Sequence, residues 1–256
     1  MTGAGHPDLL RTEGLRKHFG EVRAVDGVDL DLKEGVLTAV IGPNGAGKTT
    51  FINLLSGNLF PDAGRIFFLG EEITRLPVHL RVRRGLGRSF QITNVFPQLT
   101  VSRNIQLPLL SCLGTAWRFW KAVDASEEIH RRTEMILAEA GLEEKAHLPA
   151  CILSHGDQRL LEVGIALAAK PRLILLDEPT AGMNPAERSR ILKLIADLSA
   201  ARRTTFVLIE HDMDVVFSLA QQIVVLHQGR ILARGTPSVI REDARVRDIY
   251  LGGEIA

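Results

Sequence analysis

The chain has 256 residues, 45% of them hydrophobic, enough for one large domain or two small ones with a real core, and general disorder is excluded. Net charge is only +1, with acids and bases mixed along the chain, which argues against a dedicated nucleic-acid surface and leaves only a local patch open. Two cysteines, Cys112 and Cys151, give no metal spacing and no disulfide framework; no signal pattern opens the chain and no window reaches the roughly 20 apolar residues of a membrane span, so a soluble, cytoplasmic protein is expected.

After a short N-terminus expected to be mobile (residues 1–8), LLRTEGLRKHF and VDGVDLDLKEG read as strands, the second alternating Val28, Leu30 and Leu32 with Asp29, Asp31 and Lys33. VLTAVIG is a near-continuous apolar run, as expected of a strand buried on both faces, and it leads through a glycine-rich turn into a helix in PNGAGKTTFINLLSG. GRIFFLG is a further strand. From about Pro77 to Ala150 helical patterns dominate, among them SEEIHRRTEMILAEAG with Gly141 as its stop, and this section reads as an inserted helical subdomain. LSHGDQRLLEVGIALA follows, helical from Asp157 to Ala169 and too apolar for an exposed face. RLILLDE, TTFVLIE and QIVVLHQGRILARG are then strands, separated by helices in NPAERSRILKLIADLSA and DMDVVFSLA. Alternating strands and helices imply an α/β fold with a largely parallel core sheet.

Ser154, His155 and Asp157 stand within one short stretch, yet they do not make a nucleophilic triad. Neighbours at a helix start point in different directions, and a strained serine elbow wants glycine where Ile152 stands. What remains is a polar start of a helix, suited to an anion or to a plain cap.

The segment Gly42-Pro43-Asn44-Gly45-Ala46-Gly47-Lys48-Thr49 fits G-x-x-x-x-G-K-[ST], after a buried strand and before a helix. Its amides suit phosphates, Lys48 would reach the outer ones, and the Thr49 hydroxyl would ligate magnesium. In LILLDEPTAG the apolar run delivers Asp177 and Glu178 to the carboxyl end of a strand, where ligands of parallel sheets bind. Asp177 would hold magnesium through water and Glu178 would polarise an attacking water. His211, at the next strand end, suits a phosphate sensor as well as a structural histidine.

Together the phosphate loop, Gln91 in GRSFQ, LSHGDQ, LILLDE, AGMNP and the histidine of IEHD resemble the ordered motif set of ATP-binding cassette (ABC) proteins over almost the whole chain. The resemblance implies a P-loop cassette with a parallel core sheet, an antiparallel β subdomain and an inserted helical subdomain. It implies one nucleotide-binding domain over 9–256, with its core at about 9–90 and 165–256 and the helical part at about 91–164. In that family two cassettes dimerise head to tail around ATP and Mg2+. By resemblance, residues 42–50 including Thr50 bind phosphates, and Thr49, Gln91 and Asp177 serve the metal. Glu178, His211 and Gln91 are then the catalytic set, while Ser154, His155, Gly156, Asp157 and Gln158 form a signature acting on the partner's ATP. Phe19 matches the adenine-stacking aromatic, and a core phenylalanine is the other reading.

RGLGRSFQITNVFPQLTVSRNI, the RLLE after the signature, AGMNP and IYLGGE are similar to the first ATPase of importers for branched-chain amino acids and related solutes. That implies a peripheral subunit on the inner face of the membrane, engaging permease subunits near Gln91, with a solute-binding protein as indirect partner and no nucleic acid. Its second cassette would be another copy or a related ATPase. Leu107 to Trp120, with Trp117, Phe119 and Trp120, suits helical packing or a permease-facing patch. A soluble cassette ATPase of cofactor assembly, ribosomes or DNA is the alternative, but such chains commonly carry two cassettes, coiled coils or zinc motifs. His155 stands where the resembled branch shows an aromatic, which suggests packing. A carboxylate about 6 Å from a phosphate charge costs roughly 3 kcal/mol at an effective dielectric near 20. Asp157 is therefore expected in the first helical turn, pointing to ribose hydroxyls or solvent.

Overall fold

The computed structural model describes residues 8–88, 95–112, 127–201 and 204–251. Strands β1 (Asp8–Phe19), β2 (Val22–Lys33), β4 (Ala63–Phe68) and β5 (Glu71–Glu72) form an antiparallel sheet in the order β2-β1-β4-β5. A six-stranded sheet runs β10-β9-β3-β8-β7-β6, from β3 (Thr38–Ile41), β6 (Leu86–Arg88), β7 (Leu173–Asp177), β8 (Thr205–Ile209), β9 (Gln222–His227) and β10 (Arg230–Gly235). Its pairs are parallel except β9 with β10.

All residues of β3, β7 and β8 are buried, because both faces of the large sheet are covered. Side chains alternate between faces along a strand. Val40, Leu175 and Val207 join a core with the antiparallel sheet and with Phe51, Ile52, Leu54 and Leu55 of α1 (Lys48–Ser56). Their neighbours Ala39, Ile174 and Phe206 enter a second core on the other face. There they pack with α3 (Val101–Cys112), α4 (Glu127–Ala140), α5 (His155–Ala168), α6 (Pro185–Ala200) and α7 (Met213–Leu219). The short α2 (Val78–Arg83) precedes β6, and α8 (Pro237–Glu242) and α9 (Ala244–Leu251) follow β10.

The fold agrees with the α/β reading. The expected helix before Gly141 ends at Ala140, and the signature helix spans 155–168, so a boundary near 164 falls within it. Asp8 already belongs to β1. The two-residue β5 and the Leu-Gly-Arg of β6 have no sequence periodicity to reveal them. One buried cation braces α1: Arg81, fully buried, donates to the carbonyls of Leu54, Leu55, Leu76 and Thr74. Burial lowers its pKa to about 10, while the carbonyls at the helix end supply the negative potential that keeps a cation there.

Candidate functional site

Strands β3, β8 and β7 are neighbours running in one direction, so their carboxyl ends form one edge. The phosphate loop leaves β3 there, Asp177 ends β7, and His211 follows β8. Gly47 lies at φ +100°, and a Cβ on it would sit 2.0 Å from the Ala24 carbonyl oxygen, so only glycine lets the loop press onto β2. The first turn of α1 has no side-chain cap, which leaves its start to a ligand. Lys48 is buried and folds back on its own loop, its Nζ donating to the carbonyls of Gly42 (2.7 Å) and Pro43 (3.0 Å). Burial pushes its amine below the ordinary lysine value, with Glu178 and Asp177 acting in the opposite direction. The acidic pair thus lies within electrostatic reach of the loop.

Burial also raises the Asp177 carboxyl, and Arg88, whose Nη2 donates to Asp177 Oδ2 at 3.2 Å, pulls it back. The other oxygen, Oδ1, is buried without a hydrogen-bond partner. That orphaned acceptor fits a carboxylate held ready for a hydrated cation. Magnesium keeps several waters and takes one or two carboxylates plus phosphate oxygens, so Asp177 and the exposed Thr49 hydroxyl form a suitable donor set with nucleotide.

Glu178 has φ +50°, a left-handed conformation costing a non-glycine residue about 1–3 kcal/mol, shared among the described residues with Leu69, Lys170 and Gln228. Its amide donates to the Ile209 carbonyl at 3.0 Å, and its Oε1 accepts from His211 Nε2 at 2.6 Å. Buried Glu210 secures both ends of this pair: Oε1 accepts from the Thr180 hydroxyl and amide, and Oε2 from the His211 amide. Arg88, Thr180 and Glu210 went unnoticed in the sequence, because only the approach of β6, β7 and β8 reveals their roles.

The signature lies at the start of α5. Ser154 is its N-cap, Oγ accepting from the Asp157 amide at 3.2 Å, and Gln158 Nε2 donates to the Leu153 carbonyl at 3.3 Å. Asp157 is in the first turn as expected, but its carboxylate does not point to ribose hydroxyls or solvent. It is 2% exposed and is held by Lys145, by Arg190 Nη1 at 3.0 Å and by the Ser154 hydroxyl at 3.0 Å. The correction has a plain cause: two cations from flanking elements outbid water for the carboxylate. Burial by itself would raise the Asp157 carboxyl; the hydrogen bonds from Lys145, Ser154 and Arg190 hold it below the usual range. His155 is exposed instead of packed as an aromatic would be. Phe19 is 49% exposed at the end of β1, with Lys17 Nζ over its ring at 5.7 Å, which removes the core-phenylalanine reading. Gln91 and the Trp117–Trp120 segment lie outside the described residues.

The profile of the ABC transporter family matches residues 25–181, and that of the branched-chain amino acid ATP-binding cassette transporter matches residues 230–256. The chain is 39% identical to the high-affinity branched-chain amino acid transport ATP-binding protein BraF of Pseudomonas aeruginosa, covering 95% of this chain and 98% of that one. Against LivG of Escherichia coli, a protein of the same description, identity is 38% with the same coverages. A crystal structure of an ABC transporter cassette in its ADP conformation superposes with a TM-score of 0.84 at 32% identity, over 96% of this chain and 99% of that one. A dimeric cassette in a post-hydrolysis state with ADP and Pi gives 0.75 at 26% identity, over 89% and 98%.

Proposed function

The chain belongs to the ABC transporter family of ATP-binding cassettes, and from that we propose that it is the ATP-hydrolysing subunit of an importer for branched-chain amino acids or related amino acids and amides. The observation that carries the chemistry is the Glu178–His211 pair, seated beside buried Lys48 at the shared edge of β3, β7 and β8. Residues 42–50 take the ATP phosphates, Lys48 exchanging its loop carbonyls for phosphate oxygens, and Phe19 takes the adenine. Thr49, Asp177 and Gln91 would hold Mg2+, which supplies charge neutralisation on the phosphates when bound. Glu178 accepts a proton from the attacking water. His211 keeps the Glu178 carboxylate aimed and, once nucleotide is present, lies within reach of the terminal phosphate. Ser154 and Gly156 serve the ATP of a second cassette, another copy or a related ATPase.

No helix of the described residues is long and apolar enough to cross a membrane. On the importer reading, membrane subunits form the path and this chain is peripheral on the inner face. A cavity of about 180 Å³ between α2, β6, α3 and α5 offers a seat for them. Val78, Val82 and Pro108 line it together with Glu162, which is itself paired with Arg159. The floor includes Arg88, the partner of Asp177, which links the seat to the nucleotide site.

Changing Glu178 to Gln is expected to leave ATP binding intact, lower turnover by about 10²–10⁴-fold and accumulate a closed dimer. Normal hydrolysis in that variant removes Glu178 as the base. For the transport assignment, the tagged chain is purified from membranes, and uptake of leucine is measured in vesicles reconstituted with the complex. Recovery with ribosomes or DNA and no permease would replace importer with a soluble cassette ATPase.

A further inference from the structure

Both phosphate donors of the signature are occupied within the single chain. The Gly156 amide donates to Glu187 Oε1 at 3.2 Å, and the Ser154 hydroxyl donates to Asp157 Oδ2 at 3.0 Å. Two carboxylates therefore hold the donors that the shared-site reading assigns to the partner's terminal phosphate. They are held very differently. Asp157 is buried and paired with two cations, Lys145 and Arg190, so it is fixed. Glu187 is half-buried on the first turn of α6 and, among the described residues, pairs with no cation. Its carboxylate is kept by two backbone amides alone, Gly156 at 3.2 Å and Asn184 at 3.4 Å. Both bonds are longer than the roughly 2.7–2.9 Å of strong charge-assisted bonds.

The stem of Glu187 lies flat on Gly156: a Cβ there would stand 2.5 Å from Glu187 Cγ. A residue with any side chain at 156 would push Glu187 off the helix start. Glycine at this position thus serves the contact with α6 as well as the approach of a ligand.

We propose that Glu187 is a stand-in for the terminal phosphate, occupying the Gly156 amide in the open subunit and swinging away when the partner's ATP arrives. The proposal rests on the shared-site reading. The charge of Glu187 opposes the incoming phosphate, so it sets the ATP concentration at which two subunits close. The swing also frees the α5 start from α6, so closure and the relative position of these two helices are coupled.

The test uses two variants in the Glu178→Gln protein, alone and mixed with any related ATPase that co-purifies with it as its companion. Glu187→Gln keeps the length and the helix cap, since glutamine serves at that capping position, and removes the charge. Glu187→Asp keeps the charge and loses the reach to Gly156. ATP-driven dimerisation is followed by light scattering, nucleotide affinity of the monomer by fluorescent ATP titration, and the Gly156 amide by hydrogen exchange. Both variants should expose the Gly156 amide to faster exchange and close at about tenfold less ATP, with monomer affinity unchanged. Closure at the same or higher ATP, with faster exchange at Gly156, overturns the stand-in and leaves a helix cap. Unchanged exchange at Gly156 overturns it as well. A parent protein that never closes with ATP, alone or with its companion, refutes the shared site and the stand-in with it.

Discussion

Replacing Arg88 with methionine should destabilise the nucleotide-free protein and displace the pH dependence of its ATPase together. The Arg88 side chain is 7% exposed and that of Asp177 0%, so the pair is shielded from water. Arg88 also donates through Nη1 to Asn53 and, at 3.3 Å, to Ser56, tying β6 to α1. Methionine preserves most of the stem but leaves Asp177 buried with neither of its oxygens paired. Removing one member of a buried pair costs about 3–5 kcal/mol; some of this is recovered by protonating Asp177, so about 3 kcal/mol is expected at pH 8. At roughly 2–4 °C per kcal/mol for a chain of this size, the midpoint falls by about 6–12 °C. The sign with pH is fixed. Burial already holds the Asp177 carboxyl above its ordinary value, and losing Arg88 raises it further. The variant's native state then binds more protons than the wild type's between their two folded values, so the deficit grows as pH rises from the wild-type folded value, itself above the ordinary carboxyl value, through the mutant's. Urea denaturation at pH 5 and pH 8 measures it, and the acid limb of the ATPase profile should move to higher pH. Arg88→Lys should fall between, keeping the charge without the fork. A deficit below about 1 kcal/mol that is equal at both pH values refutes the argument.

Two further substitutions separate architecture from ligand contact. Asp157→Asn leaves Lys145 and Arg190 without their anion; because those cations are 38% and 46% exposed, the cost is limited to about 1–2 kcal/mol at pH 7. Since the wild-type carboxyl sits below its usual range, its stabilisation is present above the unfolded value and is lost as pH falls through the folded one; urea midpoints at pH 7 and pH 3 should converge for wild type and variant. Phe19→Ala at a half-exposed site should change stability by less than about 0.5 kcal/mol yet raise the KM for ATP about tenfold, with Phe19→Trp restoring it. An unchanged KM in the alanine variant removes Phe19 from the adenine site.

What the sequence made legible were features written in neighbouring residues. The apolar run of β3, the glycines behind it and Lys48 form one continuous segment, so loop and helix follow from spacing alone. The same holds for the acids that end β7 and for the serine that caps α5. The missed residues are charged side chains in ordinary surroundings whose meaning lies in distant partners. Arg88 meets Asp177 across 89 residues, Arg190 meets Asp157 across 33, Glu187 meets Gly156 across 31 and Glu210 meets Thr180 across 30. Periodicity carries no information about such pairs.

Asp157 shows the limit most clearly. Coulomb repulsion from a phosphate excludes one direction for its carboxylate, and the structure indeed turns it toward cations of the same chain. Repulsion does not choose among the remaining directions. The choice was made by Lys145, twelve residues upstream in a short 3-10 turn, and by Arg190 on α6, neither recognisable as a partner until both helices are packed. The fixed Asp157 and the loosely held Glu187 then divide the signature's negative charge into a structural part and a displaceable part. On the proposed shared site, the affinity of this helix start for ATP in trans would be a difference between two anions, the internal one held only by the long bonds from the Gly156 and Asn184 amides.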